Sequence, residues 1–339
     1  MHVLILQLKR IGDAILTTPL LSALREHVPG CAITLALDAG TSALAPAIKT
    51  DHVLVFRRGI AGLNFWSGIA KGGFDICLDV TGNDRSAVAT ALCRAPKRVT
   101  WARVKEKTLR RVVYTDFVES SVRQRHTSDH HTDLLRTLGI HVENVPLELR
   151  LPSIAQDEAA RALSTAGISG NYAVVHAGTA RAEKYWQPER WASVIGMLRG
   201  ASGLPVVLTG SADSKEQVHL DEIQRKLSTP CPNLSGKLSL LGTAAVIGQA
   251  HLLCAVDSAP VHLADALGTP LVALFGPTNP FHWRPRRASS RIVTASPGME
   301  ITPDFPKSAM SEISVDDVTA AIGEQLALIN ATNPSSPGV

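Results

Sequence analysis

The chain has 339 residues, 45% of them hydrophobic and 19% charged, with a formal net charge of +4. That is enough chain for two cores of ordinary size in a soluble globular protein without disordered bulk, and no apolar run reaches the roughly 18 to 20 residues that a bilayer-spanning helix needs. The five cysteines (Cys31, Cys77, Cys93, Cys231, Cys254) are scattered and form no C-x-x-C pair, so neither a disulfide framework nor a zinc site is expected, and the expected compartment is a reducing cytoplasm.

The opening run "MHVLILQLKR" is closed by a basic pair and lacks a small-residue cleavage site, so it reads as a first buried strand rather than a signal peptide. The turn that follows, "KRIGDAILTTP", holds one glycine, Gly12, where a dinucleotide fingerprint has three. It also holds Asp13, whose carboxylate suits a helix N-terminus but would repel a pyrophosphate aimed at the same amides. Two roles stay open for Asp13 here: capping a helix expected over 14–27, or accepting a proton. The runs "AITLAL", "HVLVF", "DICLDV" and "KRVTW" read as further strands, with helical spacing over 62–71, 84–94 and 129–138 between and after them. Such a βαβ series implies a parallel sheet covered on both faces.

From Arg94 to Arg125, ten Lys and Arg stand against three acids. This stretch is either a solvated face or a surface for an anionic partner. Nucleic acid is not the expected partner: in the core of the stretch only Trp101 and Tyr114 interleave with the charges, and no nucleic-acid module is legible. "HTSDHH" (His126, His130, His131) has helical spacing, but without H-E-x-x-H or a third ligand it reads as a polar helix start, and no metal site is expected.

"VENVPLELRLPS" (142–153), with two prolines and no helical period, marks the boundary between domains over 1–150 and 151–330, and a polar tail over 331–339 is expected to be disordered. In the second half, "YAVVHAG", "LPVVLTG", "HLLCAVD" and "PLVALFG" read as strands. A helix over 187–199 buries one face through Trp191, Val194, Ile195 and Leu198. Ser258 is expected to cap another helix that Gly268 ends, and a last amphipathic helix, "SVDDVTAAIGEQLALI", could pack back on the first domain.

Three strand-end loops carry the chemistry. Thr179, Arg181 and Lys184 follow the first strand, Gly210 and Ser211 the second, and Asp257, Ser258, Ala259 and His262 the third. Taken together they describe a site for an anionic nucleotide, with hydroxyl, amide and cationic donors from separate loops. Taken singly, Lys184 is a solvated lysine and His262 a core histidine. Glu216 is the candidate for ribose hydroxyls, with Glu222 as the alternative. No D-x-D, P-loop or G-x-S-x-G pattern occurs.

These residues resemble a known family. "LKRIGDAILTTPLLSALREHVPG", "HAGTARAEKYWQPERWA", "VVLTGSADSKE" and "NLSGKLSL…VDSAPVHLADALGTPLVALFGPTNPFHWRP" are similar, in order, to glycosyltransferase family 9, the bacterial ADP-heptose:lipopolysaccharide heptosyltransferases. The "DSAP…H" form and the "FHWRP" ending are most similar to the branch that adds a third core heptose. Ala259 departs from the glycine of many relatives. The resemblance implies an α/β fold of GT-B architecture: two Rossmann-like domains facing across a cleft, acceptor site in the first and nucleotide-sugar site in the second. It implies inverting transfer with no cofactor or required metal and Asp13 as catalytic base; the donor contacts expected from the strand-end loops are Thr179, Lys184, Gly210, Ser211, Glu216, Asp257, Ser258, Ala259 and His262. The implied partners are ADP-heptose, lipid A-core oligosaccharide and the anionic cytoplasmic face of the inner membrane. Lys9, Arg10, Lys97, Arg98, Arg103 and Lys105 are expected to engage acceptor or membrane. Two alternatives remain: a family 9 enzyme with another sugar or acceptor, and a GT-B-like nucleotide-sugar epimerase.

Overall fold

Val3 to Gln7 are fully shielded from solvent on both faces of strand β1 (His2–Gln7), because helices cover both sides of the parallel sheet to which it belongs. The computed structural model describes residues 1–106 and 108–332, and the chain divides into two units, Met1–Arg150 and Leu151–Val339.

In the first unit β1 is followed by two helices, α1 (Ile11–Ile15) and α2 (Thr18–His27), where one helix over 14–27 is expected from sequence. Pro19, at the start of α2, has no N–H to continue the ladder, so the helix breaks before it. The chain continues through β2 (Ala32–Asp38), β3 (His52–Phe56), α3 (Leu63–Lys71), β4 (Ile76–Asp79), α4 (Asp84–Cys93), β5 (Lys97–Trp101), α5 (Thr108–Arg111), β6 (Asp116–Val118) and α6 (Thr127–Thr132). All strands are parallel, in the order β3-β2-β1-β4-β5-β6. Leu4, Leu6, Ala36, Phe65, Ile69 and Cys77 form part of its core.

The second unit comprises α7 (Ser153–Thr165), β7 (Ala173–His176), α8 (Pro188–Ala201), β8 (Val206–Leu208), α9 (Ser214–Lys226), α10 (Leu240–Gly248), β9 (Leu252–Val256), α11 (Ala259–Leu267), β10 (Leu271–Leu274), β11 (Ser290–Val293) and α12 (Val315–Thr332). Its parallel sheet has the order β11-β10-β9-β7-β8. Trp186 and Trp191 meet edge to face at 5.1 Å in a core with Val194, Ile195 and Leu198. α12 lies against α8, β10 and β11, adding Val318 and Ile322 to that core. It reaches Thr332, so the start of the expected tail is helical; residues 333–339 lie outside the described residues.

Candidate active site

In each sheet the winding reverses beside the first strand, between β1 and β4 in the first unit and between β7 and β9 in the second. Loops diverge at such points, leaving a crevice beyond the carboxyl ends of the strands.

Around the first reversal, Thr81 ties the two loops together: its hydroxyl accepts from the Leu8 N–H (2.8 Å) and donates to the Leu6 carbonyl (2.9 Å). The buried Asp79 carboxylate accepts from the N–H groups of Thr81 and Gly82 and from the Tyr114 hydroxyl, so it holds the turn after β4; burial pushes its carboxyl up. Asp13 is different. It is half-buried on the first turn of α1, and among the described residues its carboxylate makes no hydrogen bond. Arg10, not Asp13, occupies the N-cap position, with extended backbone and no side-chain cap. The capping role left open for Asp13 is therefore not the one it has here, because α1 begins at Ile11 rather than at residue 14.

Two cations lie over the buried Trp101 ring, Lys9 at 5.9 Å and Arg103 at 5.1 Å from its centroid. Burial lowers the Lys9 ammonium from its usual range, with Asp13 opposing, Arg103 reinforcing and Asp79 opposing. His130 stacks on the same indole at 4.3 Å, and burial drives its imidazole down to about 2. His126 caps α6 by accepting from the Ser128 N–H. The expected polar helix start is thus what "HTSDHH" forms.

Around the second reversal, the Lys184 ammonium donates to the Asp257 carboxylate (2.6 Å) and carbonyl (3.0 Å), joining the loops after β7 and β9. Both side chains are buried. Thr278, from the loop after β10, donates to the same Asp257 oxygen at 2.5 Å. Beside this cluster α11 presents its amino end, whose first N–H groups have no partner within the helix. Ser258 stands at the N-cap as expected, but its hydroxyl donates back to the Val256 carbonyl and caps nothing. His262 is buried in the first turn of α11.

Glu216, on α9, accepts from the Ser211 N–H (3.0 Å) and hydroxyl (2.5 Å) and lies 3.7 Å from His176. Its carboxylate fills the space over two strand-end glycines: a Cβ would stand 1.8 Å from Oε1 at Gly178 and 2.6 Å from it at Gly210. Glycine is required at Gly178 because nothing else lets the acid sit there.

The residues expected to bind donor thus gather at one end of the second sheet, with Lys184 touching Asp257 and Ser211 touching Glu216. Thr179 is on the Lys184 loop, its hydroxyl accepting from the Arg181 N–H. The basic residues do not all gather: Lys9 and Arg103 share the Trp101 ring. Lys97 and Arg98 begin β5, at the opposite end of the sheet from Lys9 and Arg103, and donate to the carbonyls of Thr137, Val113 and Ala95. The stretch read as one patch is therefore divided, because the five-residue strand β5 runs between its two ends. Lys105 lies over Phe117 and 4.0 Å from Glu119, and Arg10 is exposed. Thr278 and the Trp101–His130 stack are not among the expected residues; the "PT" directly after the glycine that closes "PLVALFG" is a signal for the first.

The sequence profile of glycosyltransferase family 9 (heptosyltransferase) matches residues 63–311. The chain is 27% identical over 285 residues to lipopolysaccharide heptosyltransferase 3 of Escherichia coli, covering 81% of this chain and 83% of that one. The family 9 glycosyltransferase of Veillonella parvula DSM 2008 superposes with a TM-score of 0.84 at 25% identity, over 96% of this chain and 97% of the other. E. coli ADP-heptose lps heptosyltransferase II has the same fold, with a TM-score of 0.79 at 20% identity, over 97% and 99%. Two parallel α/β units of this kind are the GT-B architecture, and with the profile spanning well over half its length the chain belongs to glycosyltransferase family 9 and is a glycosyltransferase rather than an epimerase.

Proposed function

We propose that the protein transfers heptose, with inversion, from ADP-L-glycero-D-manno-heptose to the inner core of lipopolysaccharide. The first unit holds the acceptor and the second the donor. The observation that carries this reading is the Lys184–Asp257–Thr278 cluster beside the amino end of α11: a cation and helix amides stand together where a leaving diphosphate would need them. Asp13 removes the acceptor hydroxyl's proton, and the oxygen attacks the anomeric carbon on the face opposite ADP. The names of the relatives, lipopolysaccharide heptosyltransferase 3 and ADP-heptose lps heptosyltransferase II, support the choice of donor and acceptor. Acceptor-dependent release of ADP from ADP-heptose tests it, and release without acceptor would refute it.

Glu216 receives the ribose hydroxyls in this reading. Glu216→Gln, and Gly178→Ala, which must displace the same carboxylate, are both expected to weaken ADP binding about tenfold, the worth of one charge-assisted hydrogen bond. Calorimetry that finds both variants binding like wild type would transfer the role to Glu222 or to backbone.

Acceptor binding falls to Lys9, Arg10, Arg103 and Lys105. Arg103→Glu is expected to raise acceptor KM and leave ADP affinity unchanged, whereas Arg98→Glu, which removes bonds to two carbonyls, is expected to lower Tm instead. An unchanged acceptor KM for Arg103→Glu would contradict this division. The enzyme works at the cytoplasmic face of the inner membrane as a peripheral protein. No helix among the described residues is long and apolar enough to cross a membrane, and the turn after β3 and the start of α3 expose Ile60 and Leu63 near Arg57 and Arg58 in the chain, a combination suited to an anionic bilayer. Flotation with phosphatidylglycerol vesicles tests this contact, and protein left unbound at low salt would refute it.

A further inference from the structure

The break between α1 and α2 leaves backbone carbonyls that a continuous helix would have satisfied, and each finds a substitute. The Thr17 N–H bonds Ala14 at 3.2 Å rather than Asp13, so the Asp13 carbonyl has no backbone N–H partner among the described residues. It accepts instead from the Thr17 hydroxyl (2.8 Å) and from Gln7 Nε2 (3.2 Å). Thr18 supplies its hydroxyl to Ile15, and His131 Nδ1 lies 3.2 Å from the Leu16 carbonyl and from the Thr17 hydroxyl. A carbonyl only accepts, so this network assigns the His131 proton to Nδ1. Burial holds that imidazole down at about 3, so it is a neutral ring.

Gln7 is the costly member. It is the last residue of an otherwise apolar strand and fully buried. Its amide nitrogen faces two oxygens, Thr17 Oγ1 at 2.7 Å and the Asp13 carbonyl, so the amide cannot turn over. Its Oε1 is consequently buried without a partner among the described residues. An apolar side chain would avoid that penalty. What the amide secures in return is the location of the Asp13 turn relative to the carboxyl end of β1.

We infer that Gln7, Thr17 and His131 are positioning residues for Asp13, joining β1, the start of α2 and α6 into a clamp on the backbone that carries the proton acceptor. The inference rests on Asp13 being that acceptor. Proton transfer is sensitive to placement, since an error of about 1 Å can cost on the order of 10²-fold in rate. None of the three needs to touch substrate.

Thr17→Val keeps the shape and removes the hydroxyl. It is expected to lower kcat about tenfold or more, with ADP affinity unchanged, and Thr17→Ser to restore kcat to within about threefold. In an Asp13→Asn background the same Thr17→Val change is expected to alter kcat less than about twofold, because there is no acceptor left to position. Equal losses in both backgrounds, or a folded Thr17→Val enzyme with wild-type kcat, would overturn the clamp while leaving Asp13 as the base. An Asp13→Asn enzyme of wild-type rate would overturn both. Should Thr17→Val fail to fold, Gln7→Met serves in its place in both backgrounds: it also removes the unpaired oxygen and is expected to hold or raise Tm while lowering kcat. A wild-type kcat in that variant would equally overturn the clamp.

Discussion

Asp13→Asn is expected to lower kcat by about 10²-fold or more, because an amide cannot take the proton that a carboxylate takes. Stability should change by less than about 1 kcal/mol, the usual worth of one charge near a helix N-terminus. The geometry sharpens this expectation. Asp13 is not the cap of α1, and its carboxylate bonds to nothing among the described residues, so the substitution removes no internal hydrogen bond. Near wild-type turnover in a folded Asp13→Asn enzyme would assign the base elsewhere.

Lys184→Ala is expected to lower kcat/KM by about 2 to 4 kcal/mol of transition-state stabilisation, since the ammonium would meet a developing diphosphate. It should also lower stability by about 3 kcal/mol or more, because it strips a buried carboxylate of its counter-charge and leaves Asp257, among the described residues, with the Thr278 hydroxyl alone. The two effects can be separated. Lys184→Ala combined with Asp257→Asn removes the uncompensated charge and is expected to recover most of the lost Tm without recovering activity. Lys184→Ala with near wild-type kcat/KM would contradict the donor role, whatever its Tm.

The strands of both sheets that lie inside were legible because burial on two faces writes itself as short continuous apolar runs, "VLILQL" or "HLLCAV". β6 (Asp116–Val118) and β11 (Ser290–Val293) were not, being short edge strands with polar residues. The placement of Asp13, Lys184 and Asp257 beyond strand ends was legible for a related reason: each closely follows a strand run, and in a parallel sheet those ends border the crevice. Contacts between distant segments left no such trace. Nothing local connects Thr278 to Asp257, or His131 to Thr17, and a glutamine ending β1 reads as a strand terminus until its partners are known. The charge run misled through direction. Lys97 and Arg103 are close in sequence, but a strand carries one away from the other, and the backbone carbonyls around Arg98 occupy its N–H donors.

The most direct test of the account is the fate of the sugar. Purified enzyme incubated with ADP-heptose and lipopolysaccharide inner core lacking the branch heptose is expected to release ADP only when acceptor is present. The core should gain one heptose by mass spectrometry, with the anomeric configuration inverted from that of the donor. Release of ADP without acceptor, retention of configuration, or transfer from a different sugar nucleotide in preference to ADP-heptose would contradict it.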